Sequence, residues 1–291
     1  MKTLDKNSRL KHPGRFRLIC QALFFAITNG YYIGFATGKI YKGASKKLCF
    51  PGLNCYSCPG ALLSCPIGSL QSVLDSRKFV FSCYCLGIIM AAGSVFGRLV
   101  CGFLCPFGMV QDLLYKIPFP KKKKNITGHQ FLIYIKYLVL MLFVIILPSA
   151  VVNVAGIGRP WFCEYICPSG TLFAGLPLLA ANSGLRRVIS WHFWWKMAVL
   201  ISLLVMSLKY YRPFCKYLCP LGAMYGFFNK FSFYRYVLDA SKCTKCGACK
   251  NACKMDIKVW EKPNSTECIR CGRCIDACKT GALHSTLKIK H

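Results

Sequence analysis

The chain has 291 residues, of which 55% are hydrophobic, and a mean hydropathy of +0.40. These values exclude an ordinary soluble domain and indicate a membrane protein. Its 39 Lys and Arg against 9 Asp and Glu leave a net charge of +30, but no groove-reading motif accompanies the charge, so nucleic acid is not an expected partner. The opening residues show no cleavable signal pattern, and the 21 cysteines are therefore expected to be metal ligands in a reducing, anaerobic cell.

Four apolar stretches reach the roughly 20 residues that a membrane-spanning helix needs. They are Leu18–Thr37, Phe79–Val100, Phe131–Val152 and Val188–Leu208. Two shorter apolar stretches, Gly60–Leu74 and Ser169–Ala181, are expected to be re-entrant pieces covered by protein. Lys136 and Lys196 lie near span ends, where each is expected to reach the lipid headgroups.

The basic flanks predict the orientation. The N-terminal segment 1–17, the lysine run 121–124 and the C-terminal region 239–291 are all rich in Lys and Arg. The positive-inside rule places these three segments in the cytoplasm. The chain is therefore predicted to be a multi-pass protein of the cytoplasmic (inner) membrane of a prokaryote, with both termini inside.

A cysteine motif recurs after the second and fourth spans. CGFLCPFG begins at Cys101 and CKYLCPLG begins at Cys215, and an arginine (Arg98 or Arg212) stands three residues before each. Related motifs, CPIGSLQ at Cys65 and CEYICPSG, occur in the loops of the other side. The membrane region 18–238 thus contains two tandem repeats, about 18–120 and 129–238, and corresponding loops of such repeats tend to lie side by side.

The inner loops of the two repeats offer four thiolates, the number that a 4Fe-4S cluster needs. They are Cys101, Cys105, Cys215 and Cys219. Two cysteines four apart fit one helical turn, and Cys-Pro-x-Gly is expected to begin a new helical segment. Zinc is the alternative for four cysteines, but its usual Cys-x2-Cys pairs are missing here.

The outer loops contain more cysteines than the inner loops, and the sequence determines less well which of them bind a cluster. Cys58, Cys65, Cys163 and Cys167 mirror the inner set, and Cys55 competes with Cys58 for one place. Further candidate ligands on this side are Cys49, Cys83 and Cys85. Eight thiols would suit two clusters, so the membrane region is expected to hold one to three 4Fe-4S clusters.

The region 239–291 contains two cysteine runs of identical spacing, Cys-x2-Cys-x2-Cys-x3-Cys, which are CTKCGACKNAC (243–253) and CIRCGRCIDAC (268–278). This is the spacing of bacterial two-cluster ferredoxins, in which the fourth cysteine of each run reaches the other cluster. One predicted set is Cys243, Cys246, Cys249 and Cys278, and the other is Cys268, Cys271, Cys274 and Cys253. Lys254 and Lys279 follow the fourth cysteines, and the basic surplus of this region predicts a docking face for an acidic ferredoxin or flavodoxin.

The histidines and acids of the sequence bear on haem binding and on proton transfer. No histidine pair lies inside a predicted span, so haem is not expected. If a quinone reacts with this protein, protons must move as well, and the acids near the membrane, Asp112 and Glu164, are the candidates.

On these motifs the chain resembles the polyferredoxin-like membrane electron-transfer proteins of the NapH and NosR type. The motifs CGFLCPFG, CKYLCPLG and the two C-terminal runs carry the resemblance, which covers most of the chain. It implies four or more spans with Cys-x3-Cys-Pro motifs, a terminal two-cluster ferredoxin domain, and a role as quinol dehydrogenase or as an accessory protein of metalloenzyme maturation. The resemblance also implies an acid at the position of Asp112, whereas the cysteine-rich outer loops go beyond the nitrate-system pattern.

The sequence therefore predicts a membrane α-helical bundle of four transmembrane helices in two tandem repeats with re-entrant Cys-Pro loops, followed by a small α+β ferredoxin-like domain. The predicted function is electron relay between a cytoplasmic ferredoxin-like carrier and the quinone pool or an extracytoplasmic or membrane redox subunit. The alternative is an accessory redox factor that serves the maturation or regulation of a partner metalloenzyme.

Overall fold

A computed structural model describes the backbone of residues 13–75, 79–151 and 159–287, and the side chains of 14–71, 84–151 and 159–287. Most of the predicted basic segment 1–17 lies outside the described residues, as does the side chain of Cys83. The described chain is mostly helical up to Phe228 and ends in a small domain with a two-stranded sheet.

The first repeat contains a 3₁₀ turn and six α-helices within its described ranges. The turn is Ala44–Lys47, and the helices are α1 (Pro13–Thr28), α2 (Tyr32–Thr37), α3 (Pro66–Asp75), α4 (Phe79–Phe96), α5 (Leu99–Phe103) and α6 (Pro106–Lys116). The predicted single span Leu18–Thr37 is wrong, because the chain breaks between α1 and α2. At the break, the N–H of Leu62 donates to the carbonyl of Thr28 (2.9 Å), and that of Tyr31 donates to the carbonyl of Gly60 (3.1 Å).

The second repeat opens with a long helix and then returns through short ones. The described elements are α7 (His129–Val139), a π-helical stretch (Leu140–Ile146), α8 (Leu147–Ala150), a second π stretch (Phe162–Ile166), α9 (Pro168–Gly170), a third π stretch (Thr171–Gly175), α10 (Leu176–Ala181), α11 (Ser183–Arg187), α12 (Trp191–Lys209), α13 (Pro213–Tyr217) and α14 (Pro220–Phe228). The first three run on as one helix, His129–Ala150.

In the part of the chain that the structure describes, two helices are long and apolar enough to cross a membrane, His129–Ala150 and Trp191–Lys209. They correspond to the predicted third and fourth spans. Only 22% and 17% of their apolar windows are buried, so both turn most of their apolar surface outward. Helix α4 is shorter than the predicted span Phe79–Val100, since Gly97 adopts a positive φ of 55° directly after it. The two helices suggest membrane association.

The two lysines near the predicted span ends differ from expectation. Lys136 is completely buried and its ammonium pairs with the carboxylate of Glu267, so the prediction that it reaches the headgroups is wrong. Lys196 is half-buried, and its Nζ donates to the carbonyl of Cys163 (3.2 Å). Both lysines therefore point toward the cysteine-bearing segments.

The C-terminal domain is a small α+β unit. Strands β1 (Tyr234–Leu238) and β2 (Leu283–Leu287) pair antiparallel, with Tyr236 opposite Ser285. Between them lie α15 (Ala248–Ala252) and α16 (Arg273–Asp276), which pack together. Gly247 and Gly272 precede these helices with φ of 77° and 82°, a conformation that costs glycine nothing. Because β1 starts before residue 239, the domain begins slightly earlier than the sequence predicts.

Candidate iron–sulfur sites

The first ferredoxin site is a cavity near the surface. Its lining includes four thiols, those of Cys243, Cys246, Cys249 and Cys278. The first three come from one cysteine run, and the fourth crosses over from the other run. The structure thus brings together the set that the spacing predicts. Cys246 is exposed, so this site lies at the rim of the molecule.

The second ferredoxin site is deeper. The thiols of Cys268, Cys271, Cys274 and Cys253 lie close enough to interact electrostatically, and Cys253 and Cys274 are buried. Lys254 does not join an open basic face, since its ammonium lies over the rings of Tyr115 (4.6 Å) and Tyr211 (5.4 Å). Burial, with Arg273 nearby, lowers the pKa of Lys254 to about 8. Lys279, by contrast, is exposed.

The inner site lies where the repeats meet. One cavity is lined by four buried thiols, those of Cys101, Cys105, Cys215 and Cys219. Cys105 and Cys219 cap α6 and α14, and the Sγ of each accepts a hydrogen bond (3.4 Å) from the N–H of the glycine three residues on, Gly108 or Gly222. The prediction that Cys-Pro-x-Gly begins a helix is confirmed at both places.

Two buried arginines cross between the repeats at this site. The guanidinium of Arg98 donates to the carbonyl of Cys215 (3.1 Å), and that of Arg212 donates to the carbonyl of Cys101 (2.9 Å). A Cβ on Gly222 would stand 3.1 Å from Arg98, and one on Gly108 would stand 3.3 Å from Arg212. The glycine of each Cys-Pro-x-Gly motif therefore makes room for the arginine of the other repeat. Both arginines place positive charge beside four thiols.

The outer site repeats this plan with one change. The thiols of Cys55, Cys65, Cys163 and Cys167 lie within electrostatic range of one another, and a Cβ on Gly170 would stand 3.5 Å from the Sγ of Cys55. The structure thus places Cys55, not Cys58, as the fourth thiol. The ammonium groups of Lys196 and Lys46 lie near Cys55 and take the place that arginines hold at the inner site.

Two other outer cysteines each approach one thiol of this set, Cys58 that of Cys55 and Cys49 that of Cys65. Cys58 is completely buried and packs with Ala61 and Ala174. Cys49 and Cys85 share a hydrogen bond with each other, and both are buried. Within the described side chains, no group of three or more His, Cys, Asp or Glu residues is arranged to hold a single metal ion. The cavities at the first ferredoxin site and at the inner site are each lined by four thiols, the number of ligands that a 4Fe-4S cluster requires.

Two glutamines touch ligand cysteines, and the sequence motifs did not single them out. Gln111 donates from Nε2 to the Sγ of Cys215 (3.2 Å), and Gln71 donates from Nε2 to the Sγ of Cys163 (3.5 Å). Each glutamine stands six residues after the cysteine of a Cys-Pro motif, in CPFGMVQ and CPIGSLQ. That shared position was the available signal.

A network of buried polar groups joins the inner site to the second ferredoxin site. Besides Cys215, Arg98 binds the carbonyl of Thr266 (2.7 Å) and the carboxylate of Glu267 (3.0 Å). Asn229 of the second repeat donates to the carbonyl of Cys268 (2.8 Å) and accepts from the N–H of Arg98 (2.9 Å). One arginine therefore touches a cysteine of the inner site and the residue before a cysteine of the ferredoxin domain.

The two acidic candidates lie in different surroundings. Asp112 is buried and bonded to Arg17 (2.7 Å) and to Arg212 (3.0 and 2.5 Å). Burial alone would raise the pKa of Asp112, but the two guanidinium groups outweigh it and lower the pKa, which favours a fixed carboxylate that orients Arg212. Glu164 is half-buried, and its carboxylate is 3.7 Å from Nε2 of His192. Proton handling by either acid stays a prediction.

These observations fit 4Fe-4S clusters. Each set supplies four free thiols without a competing disulfide, and cationic side chains lie beside both membrane-region sets. Cationic partners suit a cluster held by four thiolates, which is a net anion.

Comparison with known families agrees with this chemistry. A family model described as a 4Fe-4S binding domain matches residues 79–127, 139–185 and 191–235. A second model with the same description matches residues 236–258 and 262–284. The first covers the Cys-Pro motifs of the inner site, and the second covers both ferredoxin runs. The predicted 4Fe-4S clusters are thereby confirmed as the cofactors of this chain.

Three relatives extend the comparison, while no solved structure matches the chain. An uncharacterized protein of Methanocaldococcus jannaschii is 32% identical over 190 residues, covering 62% of this chain and 69% of the relative. The regulatory protein NosR of Stutzerimonas stutzeri is 28% identical over 53% of this chain and 20% of its own length. The methylamine utilization ferredoxin-type protein MauN of Paracoccus denitrificans is 30% identical over 54% of this chain and 48% of its own length. The chain therefore belongs to the NosR-like, polyferredoxin-like family of 4Fe-4S electron-transfer proteins.

Proposed function

We propose that this protein is a membrane-bound relay that carries electrons between a cytoplasmic ferredoxin-like carrier and the quinone pool or an acceptor at the outer face of the membrane. The observation that carries the proposal is the position of Arg98. Its guanidinium bonds to Cys215 of the inner site and to Glu267 beside the second ferredoxin site. The membrane region and the ferredoxin domain thus contact each other at a place where each has a cluster-binding cysteine set.

The four-thiol sets follow one another in space. Helix α12 begins beside the outer site, where Lys196 donates to the carbonyl of Cys163, and ends just before Cys215 of the inner site. Its 19 residues at about 1.5 Å each give a length close to the hydrocarbon thickness of a bilayer. Tyr225 is completely buried, and its hydroxyl lies within electrostatic range of Cys65 of the outer site and Cys101 of the inner site.

Bound 4Fe-4S clusters would supply one-electron redox chemistry at each set. The protein's own contribution is to hold four thiols at each set, to bury those of the inner site, and to offset the negative charge with Arg98, Arg212 and Lys196. The first ferredoxin site is the one open to a soluble partner, because Cys246 is exposed. Lys242, Lys245 and Lys279 are exposed near it, a surface that would steer an acidic ferredoxin or flavodoxin.

The proposed topology places the ferredoxin domain in the cytoplasm and the outer site toward the other face. It is supported by the lysine run 121–124 near the ferredoxin end of the molecule, where Lys124 donates to the carbonyl of Lys250 (3.2 Å). It is also supported by exposed Trp191, Trp194 and Trp195 at the opposite end of α12, since tryptophan is enriched at membrane interfaces. The helices His129–Ala150 and Trp191–Lys209 would be the membrane spans, and a cytoplasmic-membrane location completes this proposal.

A second function has support from the relatives. One is a regulatory protein and another is a ferredoxin-type protein of methylamine utilization. An accessory factor that reduces a metal or cofactor for a partner enzyme would use the same four sites. It differs in its phenotype, because its loss would lower only the cofactor content of that partner.

The test uses anaerobically purified full-length protein in proteoliposomes. Wild type should contain about 16 irons and 16 acid-labile sulfides per chain, four for each set. Replacing both Cys163 and Cys167 by serine should lower the iron to about 12, retain the EPR signals of the ferredoxin pair, and abolish electron transfer across the bilayer. Transfer at the wild-type rate in this variant would overturn the relay. Loss of transfer without loss of iron would show that the outer set holds no cluster.

A further inference from the structure

Gln71 and Gln111 make the same pair of hydrogen bonds in two places that share no residue. Each accepts at Oε1 from a backbone N–H, that of Phe162 (3.1 Å) for Gln71 and that of Phe214 (3.2 Å) for Gln111. Each donates from Nε2 to the Sγ of the next residue in the chain, Cys163 or Cys215.

The orientation of both amides follows from the chemistry. A backbone N–H only donates, so the oxygen of the glutamine must face it, and the NH₂ group is left to point at the sulfur. Both glutamines are completely buried, so no water competes for these bonds. The bond from the backbone N–H thus fixes the orientation of each amide, whose Nε2 donates to one sulfur. In Gln71 the same Nε2 also donates to the carbonyl of Ile67 (3.2 Å).

The arrangement is one-sided. Both glutamines belong to the first repeat, and both sulfurs belong to the first cysteine of a motif in the second repeat. The equivalent positions of the second repeat, six residues after Cys167 and Cys219, are Phe173 and Tyr225, which carry no amide. The outer set and the inner set therefore each have one sulfur that accepts a glutamine hydrogen bond.

We propose that Gln71 and Gln111 are positioning residues that raise the reduction potentials of the outer and inner clusters by donating a hydrogen bond to one cysteine sulfur in each. The proposal rests on the proposed function only in requiring clusters at these two sets. A hydrogen bond to a thiolate withdraws negative charge from the sulfur. The reduced cluster carries one more electron and gains more from that bond, so the reduced state is favoured.

The test compares two substitutions of Gln111 that separate its hydrogen bond from the N–H of Phe214 from its hydrogen bond to the Sγ of Cys215. Gln111→Glu keeps an acceptor for the N–H of Phe214 but exchanges the donor to sulfur for negative charge. Gln111→Met keeps the length of the side chain and removes both bonds. We expect the inner cluster to become harder to reduce in the order wild type, Met, Glu. At the wild-type midpoint the ratio of reduced to oxidised cluster should fall about tenfold in Gln111→Met, which is 59 mV for a one-electron couple.

Gln21→Met is the matched control. Gln21 is also completely buried and also lies at the inner site, but its Nε2 donates to the carbonyl of Gly102 (2.9 Å) and not to a sulfur. The readouts are an EPR-monitored redox titration and the iron content of each purified variant. We expect the control to keep the wild-type potential, and the outer cluster and ferredoxin pair to keep theirs in all three variants.

Three results would overturn the proposal. One is an unchanged potential of the inner cluster in both Gln111 variants at full iron content. Another is an equal shift in Gln21→Met, which would assign the effect to packing. If the Gln111 variants do not assemble the inner cluster, Gln71→Met and Gln71→Glu repeat the experiment at the outer site. Loss of that cluster too would make the glutamines structural. Absence of both clusters from wild type would instead overturn the proposed function, so the two failures are distinguishable.

Discussion

The carboxylate of Glu267 offers a direct test of how the ferredoxin domain is held against the membrane region. It is paired with Arg98 and Lys136, whose side chains are completely buried. Glu267→Gln leaves both cations without a counter-charge in a protein interior. Removing one partner of a buried ion pair costs about 3–5 kcal/mol, so we expect the docked state to lose about 3 kcal/mol, or roughly a hundredfold in the docking equilibrium.

The assay is hydrogen exchange of the segment 265–271, followed by mass spectrometry. These amides are protected while the segment lies against the inner site, and the rate of exchange reports the free energy of local opening. Exchange in this segment should accelerate roughly a hundredfold in Glu267→Gln, while the iron of the ferredoxin pair stays bound because no cysteine has changed.

Glu261→Gln is the control for that experiment. Glu261 also pairs with a lysine in the same domain, Lys258, but both side chains are about half exposed (48% and 57%). Such a surface pair contributes about 0.2–1 kcal/mol, so exchange should change at most severalfold. Wild-type exchange in Glu267→Gln, or equal acceleration in both variants, would refute the inference that this buried carboxylate holds the domain in place.

Two further predictions concern buried groups near the sites. Asp112→Asn should lower the stability of the inner site by about 3 kcal/mol, because Arg17 and Arg212 lose their counter-charge, and thermal loss of cluster absorbance measures this. The two arginines lower the pKa of Asp112, so its contribution should be constant from neutral pH down to about 4 and fade only as the pH falls through that lowered pKa. A wild-type midpoint in Asp112→Asn would contradict the ion-pair role. Cys49→Ala and Cys85→Ala should each retain the full wild-type iron content, because neither thiol joins a four-thiol set. Loss of about four irons in either variant would make that cysteine a ligand.

The ferredoxin half could be predicted well because its information is local. The spacing of the two runs alone predicts which cysteine crosses over, and the structure brings Cys278 to the first set and Cys253 to the second. The Cys-Pro motifs likewise predict the helix starts after Cys105 and Cys219. In both cases the chemistry of a few adjacent residues fixes the geometry.

Contacts between distant segments could not be predicted in the same way. Cys55 and Cys58 stand three residues apart, and only the packing of the outer loop against Gly170 decides which thiol faces the set. Lys136 looks like a span-end lysine until the ferredoxin domain covers it and supplies Glu267. The break between α1 and α2 depends on backbone partners from the loop at Gly60. Each of these three features depends on contacts between distant segments, and the hydropathy of one segment does not predict such contacts.

The docking of residues 265–270 has a consequence for how the protein is built. This segment contacts the first repeat at Gly102, where a Cβ would stand 2.5 Å from the carbonyl of Ile269, and the second repeat at Gly226, where one would stand 2.9 Å from that of Thr266. Neither repeat alone forms the complete surface that the segment 265–270 contacts. The ferredoxin domain follows both repeats in the chain, so it can close onto them only after they have come together. A membrane region with misplaced repeats would therefore lack part of this contact surface and would hold the ferredoxin domain less firmly.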